Sequence, residues 1–163
     1  MDDVAFRLGT VADIEPAVAV WRVANLARRG GEPVPATHEE RVRGNLGKPD
    51  AFLLVADDAG QIVGMALGMQ GLADDGAGPP IPGLCQIAMV FIAPARWGQG
   101  LGGRIVDAVL DEARLRGYRH AQLWAHLSND RAHRLYTGHG FHRSGREMID
   151  NLGETIVQYE RPL

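Results

Sequence analysis

Four glycines, at 98, 100, 102 and 103, follow an apolar run in MVFIAPARWGQGLGG, residues 89–103. Glycine leaves backbone N–H groups uncovered by a Cβ, and the helix that the pattern predicts from about Leu101 adds the positive end of its dipole. Strand, glycine turn and helix start in this order make a cradle for a polyanion. Gly98, Gly100 and Gly103 also satisfy G-x-G-x-x-G, the dinucleotide fingerprint. That fingerprint needs a turn directly off the strand and an acidic residue closing the next strand. Here Ala93 to Arg96 intervene, and the next strand reads QLWAHLSND, with its acid, Asp130, at a helix start. A P-loop is excluded because no Gly-Lys-Ser or Gly-Lys-Thr follows. A purely structural turn gives no reason for so many glycines, each of which costs backbone entropy on folding.

Cys85 is the only cysteine, which excludes an intrachain disulfide and a cysteine-based metal cluster. It lies in an apolar run with no basic neighbour to lower its pKa, so it reads as an inert buried thiol rather than an acyl-carrying nucleophile. Five of the six histidines fall between His120 and His142, at spacings that spread them over a strand, a helix and a loop. No metal site is expected from them.

The elements that must position the cradle follow from periodicity. Val4 to Leu8 reads as a strand, and Thr10 or Asp13 as the cap of a helix with Ile14, Val18, Trp21 and Leu26 on one face, fading at Gly30 and Gly31. Thr37 and Glu40 resemble a capping box for a second helix to about Leu46. Phe52 to Ala56 and Ile62 to Met69 form a hairpin about DDAGQ. Residues 71–83, GLADDGAGPPIPG, are too rich in Gly and Pro for a regular element and read as a mobile loop, either a binding loop or lid or a plain connector. Leu84 to Ile92 reads as a central strand buried on both faces. The helix after the glycines repeats Ile105, Val109 and Ala113 beside Val106 and Leu110 and ends at Gly117; with the strand Ala121 to Ala125 it completes a parallel crossover. A helix over Asn129 to His139 and two strands, Phe141 to Met148 and Thr155 to Glu160, close the chain.

At 163 residues the chain suits one domain, 1–163. No apolar stretch approaches the roughly 20 residues that cross a bilayer, and MDDVAFRLGT lacks the basic leader and apolar core of a signal peptide, so a cytoplasmic protein is expected with no membrane partner. A net charge of -3 gives no global attraction for nucleic acid.

The order of elements and the residues themselves resemble the GNAT superfamily of acetyl-CoA-dependent N-acetyltransferases. Its signature loop, Gln or Arg then x-x-Gly-x-Gly or Ala, maps onto Trp97, Gly98, Gln99, Gly100, Leu101 and Gly102, with Trp97 where Gln or Arg is usual. A second motif, Asn-x-x-Ala-x-x-x-Tyr followed by Gly-Phe, is matched by Asn129, Ala132, Tyr136, Gly140 and Phe141.

The resemblance implies a mixed α/β fold: a central mixed sheet of about seven strands, splayed between the fourth and fifth, flanked by about four helices. It implies acetyl-CoA as cosubstrate, its pyrophosphate on the amides of Gly98 to Gly103 and its pantetheine arm along Val90, Phe91 and Ile92, with a backbone N–H of Ile92 or Val90 on the thioester carbonyl. Asn129 would contact the arm, with Ala132 in the same motif. Tyr136 would be the general acid, a phenol of pKa near 10 suited to protonating a thiolate; a packed core tyrosine is the alternative. Many relatives carry a carboxylate on the central strand, whereas LCQIAMVFI offers only Gln86. His126, ending the next strand on the face of Gln122 and Trp124, is the candidate base, against a structural histidine. The acceptor pocket would be lined by Trp21, Asn25, Arg28, the Glu32 loop and residues 71–83, with Trp21 read as core and Arg28 and Arg29 as a helix C-terminal charge pair. Glu32, Glu39, Asp74 and Asp75 lie in segments that would border it and suit a cationic amine; the alternative for each is a solvated surface charge. The reaction implied is direct acetyl transfer to a primary amine on a small molecule; a peptide or protein amine and an acyl-CoA sensor without turnover are the alternatives. A homodimer is open.

Overall fold

The computed structural model describes residues 3–163. Met1 and Asp2, part of the N-terminal stretch considered above, lie outside them. The elements run β1 (Val4–Leu8), α1 (Ile14–Arg28), α2 (Ala36–Leu46), β2 (Phe52–Asp58), β3 (Gln61–Leu72), β4 (Pro80–Ile92), α3 (Leu101–Leu115), β5 (His120–His126), α4 (Asp130–Gly138), β6 (His142–Ile149) and β7 (Thr155–Pro162). They build one seven-stranded sheet in the order β1-β2-β3-β4-β5-β7-β6. Every pairing is antiparallel except β4 with β5, which the α3 crossover makes parallel. This is the mixed α/β architecture that the resemblance implied, seven strands with four α-helices.

Alternation along the strands divides the core into two layers. One holds Leu54, Ala56, Ala66, Cys85, Ile87, Leu123 and Val157 against the apolar stripe of α3, whose Leu101, Ile105, Val106 and Val109 are buried. Each such aliphatic side chain contributes about 1.5–3 kcal/mol when fully buried. The other layer holds Leu53, Val55, Met65, Leu67 and Met89 against Ala17, Val18 and Trp21 of α1 and Val42 of α2. Trp21 is thus core, as its spacing indicated. Leu26 is not: it is exposed, one position around the helix from the buried Asn25.

The structure corrects three further expectations. Residues 71–83 are not one irregular loop. β3 continues to Leu72 and β4 begins at Pro80, so only a short turn through Asp74 and Asp75 separates them. Pro80 and Pro82 are tolerated because β4 has not yet met β5, whose pairing begins at Leu84 with His120. The Thr37–Glu40 capping box is absent: α2 starts after Pro35 with no side-chain cap. β4, finally, is not covered throughout. Leu67 pairs with Met89 and Gly68 with Ile87, so Ala88 is the extra residue of a bulge, and it is exposed.

Candidate active site

β4 and β5 pair only from Leu84–His120 to Ile87–Leu123. Beyond Ile87 the bulged β4 and the last residues of β5 diverge, which opens a cleft of about 550 Å³ between them. Its walls are Ala88 to Ile92 on one side, Trp124 to His126 on the other, the loop through Gly98 to Gly103 at one end, and Asn129, Ala132 and Tyr136 of the α4 region. Two stretches far apart in sequence, the glycine loop and the Asn129 motif, therefore meet at a gap in the sheet.

At the loop, Gly98 and Gly100 have φ of 81° and 78°, a left-handed backbone that favours glycine, and open space lies where a Cβ would stand. Gly103 serves another end: a Cβ there would come within 2.9 Å of His139 Nε2. Among the described residues no acceptor engages the backbone N–H groups from Gly98 to Gly103; the next one, of Arg104, donates to Gly100 O. A row of free N–H groups at a helix start, with Cβ-free space in front, fits a pyrophosphate.

Trp97 acquires a role here. Its indole Nε1 donates to Ile92 O at 2.8 Å, and the Arg131 guanidinium lies 4.4 Å over its ring. The side chain ties the end of β4 to the start of α4 and holds a cation at the cleft wall. The bond also engages the Ile92 carbonyl, leaving Val90 and Phe91 as the freer part of the expected strand edge. Gln99 accepts from Arg96 Nε, and Arg96 Nη1 in turn donates to Asp58. Arg131 was missed in the sequence; its place inside the Asn129 motif was the available signal.

The sequence profile of the Acetyltransferase (GNAT) family matches residues 18–141. The chain belongs to the GNAT acetyltransferase family. No curated protein matches it. Among solved structures, the ribosomal-protein-S18-alanine N-acetyltransferase of Escherichia coli superposes with a TM-score of 0.76 at 17% identity, over 98% of this chain and 93% of that one. The paia N-acetyltransferase of Thermoplasma acidophilum, solved with coenzyme A, gives 0.71 at 14%, over 99% of each. The yncA protein of Salmonella typhimurium, solved with acetyl-CoA, gives 0.75 at 20%, over 99% of this chain and 95% of that one. At these identities the likeness is one of fold.

Within this GNAT chain Tyr136 is buried, edge-on to Phe141 and tilted against Tyr159. Burial pushes its phenol above the ordinary value, so it keeps its proton at neutral pH. Asn129 caps α4, its Oδ1 accepting from Ala132 N–H at 3.1 Å. Cys85 is fully buried and its thiol is pushed up to about 12, which removes it as a nucleophile.

His126 lines the cleft, and its Nε2 lies 3.0 Å from Asp150 Oδ2 and 3.3 Å from Glu154 Oε2. Histidine spacing concealed this trio, whose ligand-type atoms lie within 4.8 Å of one another. The other acids are engaged elsewhere. Glu39 bonds Arg22 and Arg43 between α1 and α2 and is held at about 2 by them, chiefly by Arg22, while Glu32 pairs with Arg29 away from the cleft. Asp75 bonds Arg146, which lies over Trp124, and Asp74 is exposed. Of the expected acceptor residues only Arg28 reaches the cleft; Asn25 is buried, bonded to Trp21 O. Gln86, the polar residue of the central strand, accepts from Gln122 Nε2 at 2.6 Å. Among the described residues no helix is long and apolar enough to cross a membrane.

Proposed function

We propose that residues 1–163 act as one N-acetyltransferase domain that moves the acetyl group of acetyl-CoA, a substrate here, to a primary amine on a small molecule by direct attack in a ternary complex. The observation that carries the reading is the gap beyond Ile87 and Leu123, where the glycine cradle, the unpaired β4 edge and Tyr136 line one cleft. The amides of Gly98, Gln99, Gly100, Leu101, Gly102 and Gly103 hold the pyrophosphate, with Trp97 bracing the loop. Val90, Phe91 and Ile92 hold the pantetheine arm, with Asn129 and Ala132 opposite. His126 takes the proton of the attacking amine as the N–C bond forms, and Tyr136 gives its proton to the sulfur as the C–S bond breaks. The inaccessible Cys85 supports direct attack over an acyl-enzyme.

The contact of Asp75 with Arg146 carries the turn between β3 and β4 across to β6, over Trp124. It narrows the open face of the sheet and favours a small acceptor over a protein tail. Incubation with acetyl-CoA and an amine panel, following free thiol, tests the reading. Thiol release with one class of small amine, lost in Tyr136→Phe while CoA binding is kept, is expected. Binding with no release by any amine would instead identify an acyl-CoA sensor.

A further inference from the structure

The proton acceptor proposed above stands on a wider arrangement. Asp150 opens the turn between β6 and β7, and its two oxygens are divided. Oδ1 accepts from the N–H groups of Leu152 and Glu154, each at 2.9 Å, and Oδ2 faces His126 Nε2 at 3.0 Å. Glu154 Oε2 lies behind at 3.3 Å, and its carboxylate is clasped by Arg28 Nη1 at 3.1 Å and Arg29 Nη1 at 3.3 Å, with Glu32 on the far side of Arg29. The charged groups facing the imidazole are thus two carboxylates from the turn, one of them already matched by the guanidiniums of Arg28 and Arg29 at the C-terminal end of α1. A metal ion fits poorly: Asp150 Oδ1 and the Glu154 carboxylate already accept protein donors, and the guanidiniums repel a cation.

We propose that Asp150 is the positioning residue for His126, accepting its Nε2–H and thereby leaving Nδ1 as the nitrogen that takes the proton of the amine. The inference rests on the reading of His126 as the base. It gives the β6–β7 turn a part in the reaction, through tautomer and ring orientation, as a carboxylate does for a catalytic imidazole elsewhere.

Asp150→Asn tests it, since the amide oxygen still accepts from Leu152 and Glu154 while its NH2 group faces Nε2 and favours the opposite tautomer. We expect kcat to fall about 10–100-fold with KM for acetyl-CoA unchanged, on the scale of other groups that orient a functional imidazole. A turn that was merely structural would not lower kcat while leaving that KM in place. If His126→Ala loses tenfold or more and Asp150→Asn leaves kcat unchanged, the positioning role is overturned and the base stands; if His126→Ala is fully active, both fall. Independently of activity and of any variant's folding, the 15N imidazole resonances of His126 in the native protein report the tautomer: protonation at Nε2 supports the proposal, and protonation at Nδ1 alone overturns it.

Discussion

The two halves of the sheet obey different rules. In the half that runs from β1 to β4 the strands are antiparallel, and its middle strands, β2 and β3, are apolar and buried on both faces, with α3 packed on one and α1 and α2 on the other. Strands β5, β7 and β6 bury Leu123, Val157 and Tyr159 on the α3 side, but their opposite face is polar. There Gln86, Gln122 and the buried Gln158 hydrogen-bond in a row across β4, β5 and β7, Ser144 of β6 donates to Gln158, and among the described residues no α-helix packs extensively on β6 or β7. A face closed by helices can be made of any well-packed hydrophobes. A face left open has to satisfy its own polar groups, and it is where a second substrate can approach. The cleft lies at the seam, where the closed half ends in a bulge and the open half diverges.

The contrast predicts that substitutions in the open half and at the seam change catalysis, whereas those in the closed half change stability. The largest effect is expected for Tyr136→Phe, a loss of about 10²–10⁴-fold in kcat, the scale of general acid–base catalysis, with CoA affinity and melting temperature nearly unchanged. Leu67→Ala, in the closed half, should cost about 2–5 kcal/mol in denaturant unfolding, because Leu67 is fully buried, while KM values of the folded fraction stay put. Gly100→Ala sits at the seam: forcing an alanine into the left-handed backbone costs about 1–2 kcal/mol, so CoA binding by calorimetry should weaken about tenfold.

A smaller effect concerns Asp13, whose carboxyl is held down at about 2, first by Arg7 and next by the Thr10 N–H. The lowered value means that the stabilisation is present above the ordinary carboxylate pKa near 4 and is lost as pH falls toward 2. With Arg7 partly exposed, Arg7→Met should remove only about 1 kcal/mol at pH 7 and progressively less as pH falls through 2, as urea titrations across that range would report. The smallest effect belongs to Cys85. Alkylating reagents at pH 7.5 should leave native activity intact, and rapid inactivation would show that the seam opens more than the packing implies.

Most of the fold was legible because its signals are local. Alternation marked the strands, the stripe of Ile105, Val106 and Val109 marked α3, and the glycines marked the loop from which α3 starts at Leu101. The failures occurred where tertiary pairing overrode local composition. Residues 80–83 look irregular, yet they join β4 because β3 offers a partner and the proline positions face no donor-requiring neighbour. Thr37 has the spacing of a capping box, but α2 begins at Ala36 after Pro35, so Thr37 already lies inside the helix and cannot be its cap. Two of the acids expected to border the acceptor are engaged by arginines distant in sequence, Glu39 by Arg22 and Asp75 by Arg146.

The sequence by itself determined the two motifs, the crossover between them and the family, since each rests on residue types at short, fixed spacings. The tertiary structure alone decided that β4 bulges at Ala88 and parts from β5, that Trp97 meets Arg131, and that His126 meets a carboxylate 24 residues away. Those contacts depend on how the bulge, the α3 crossover and the β6–β7 turn are placed against one another, a balance of packing across the whole sheet that no local spacing encodes.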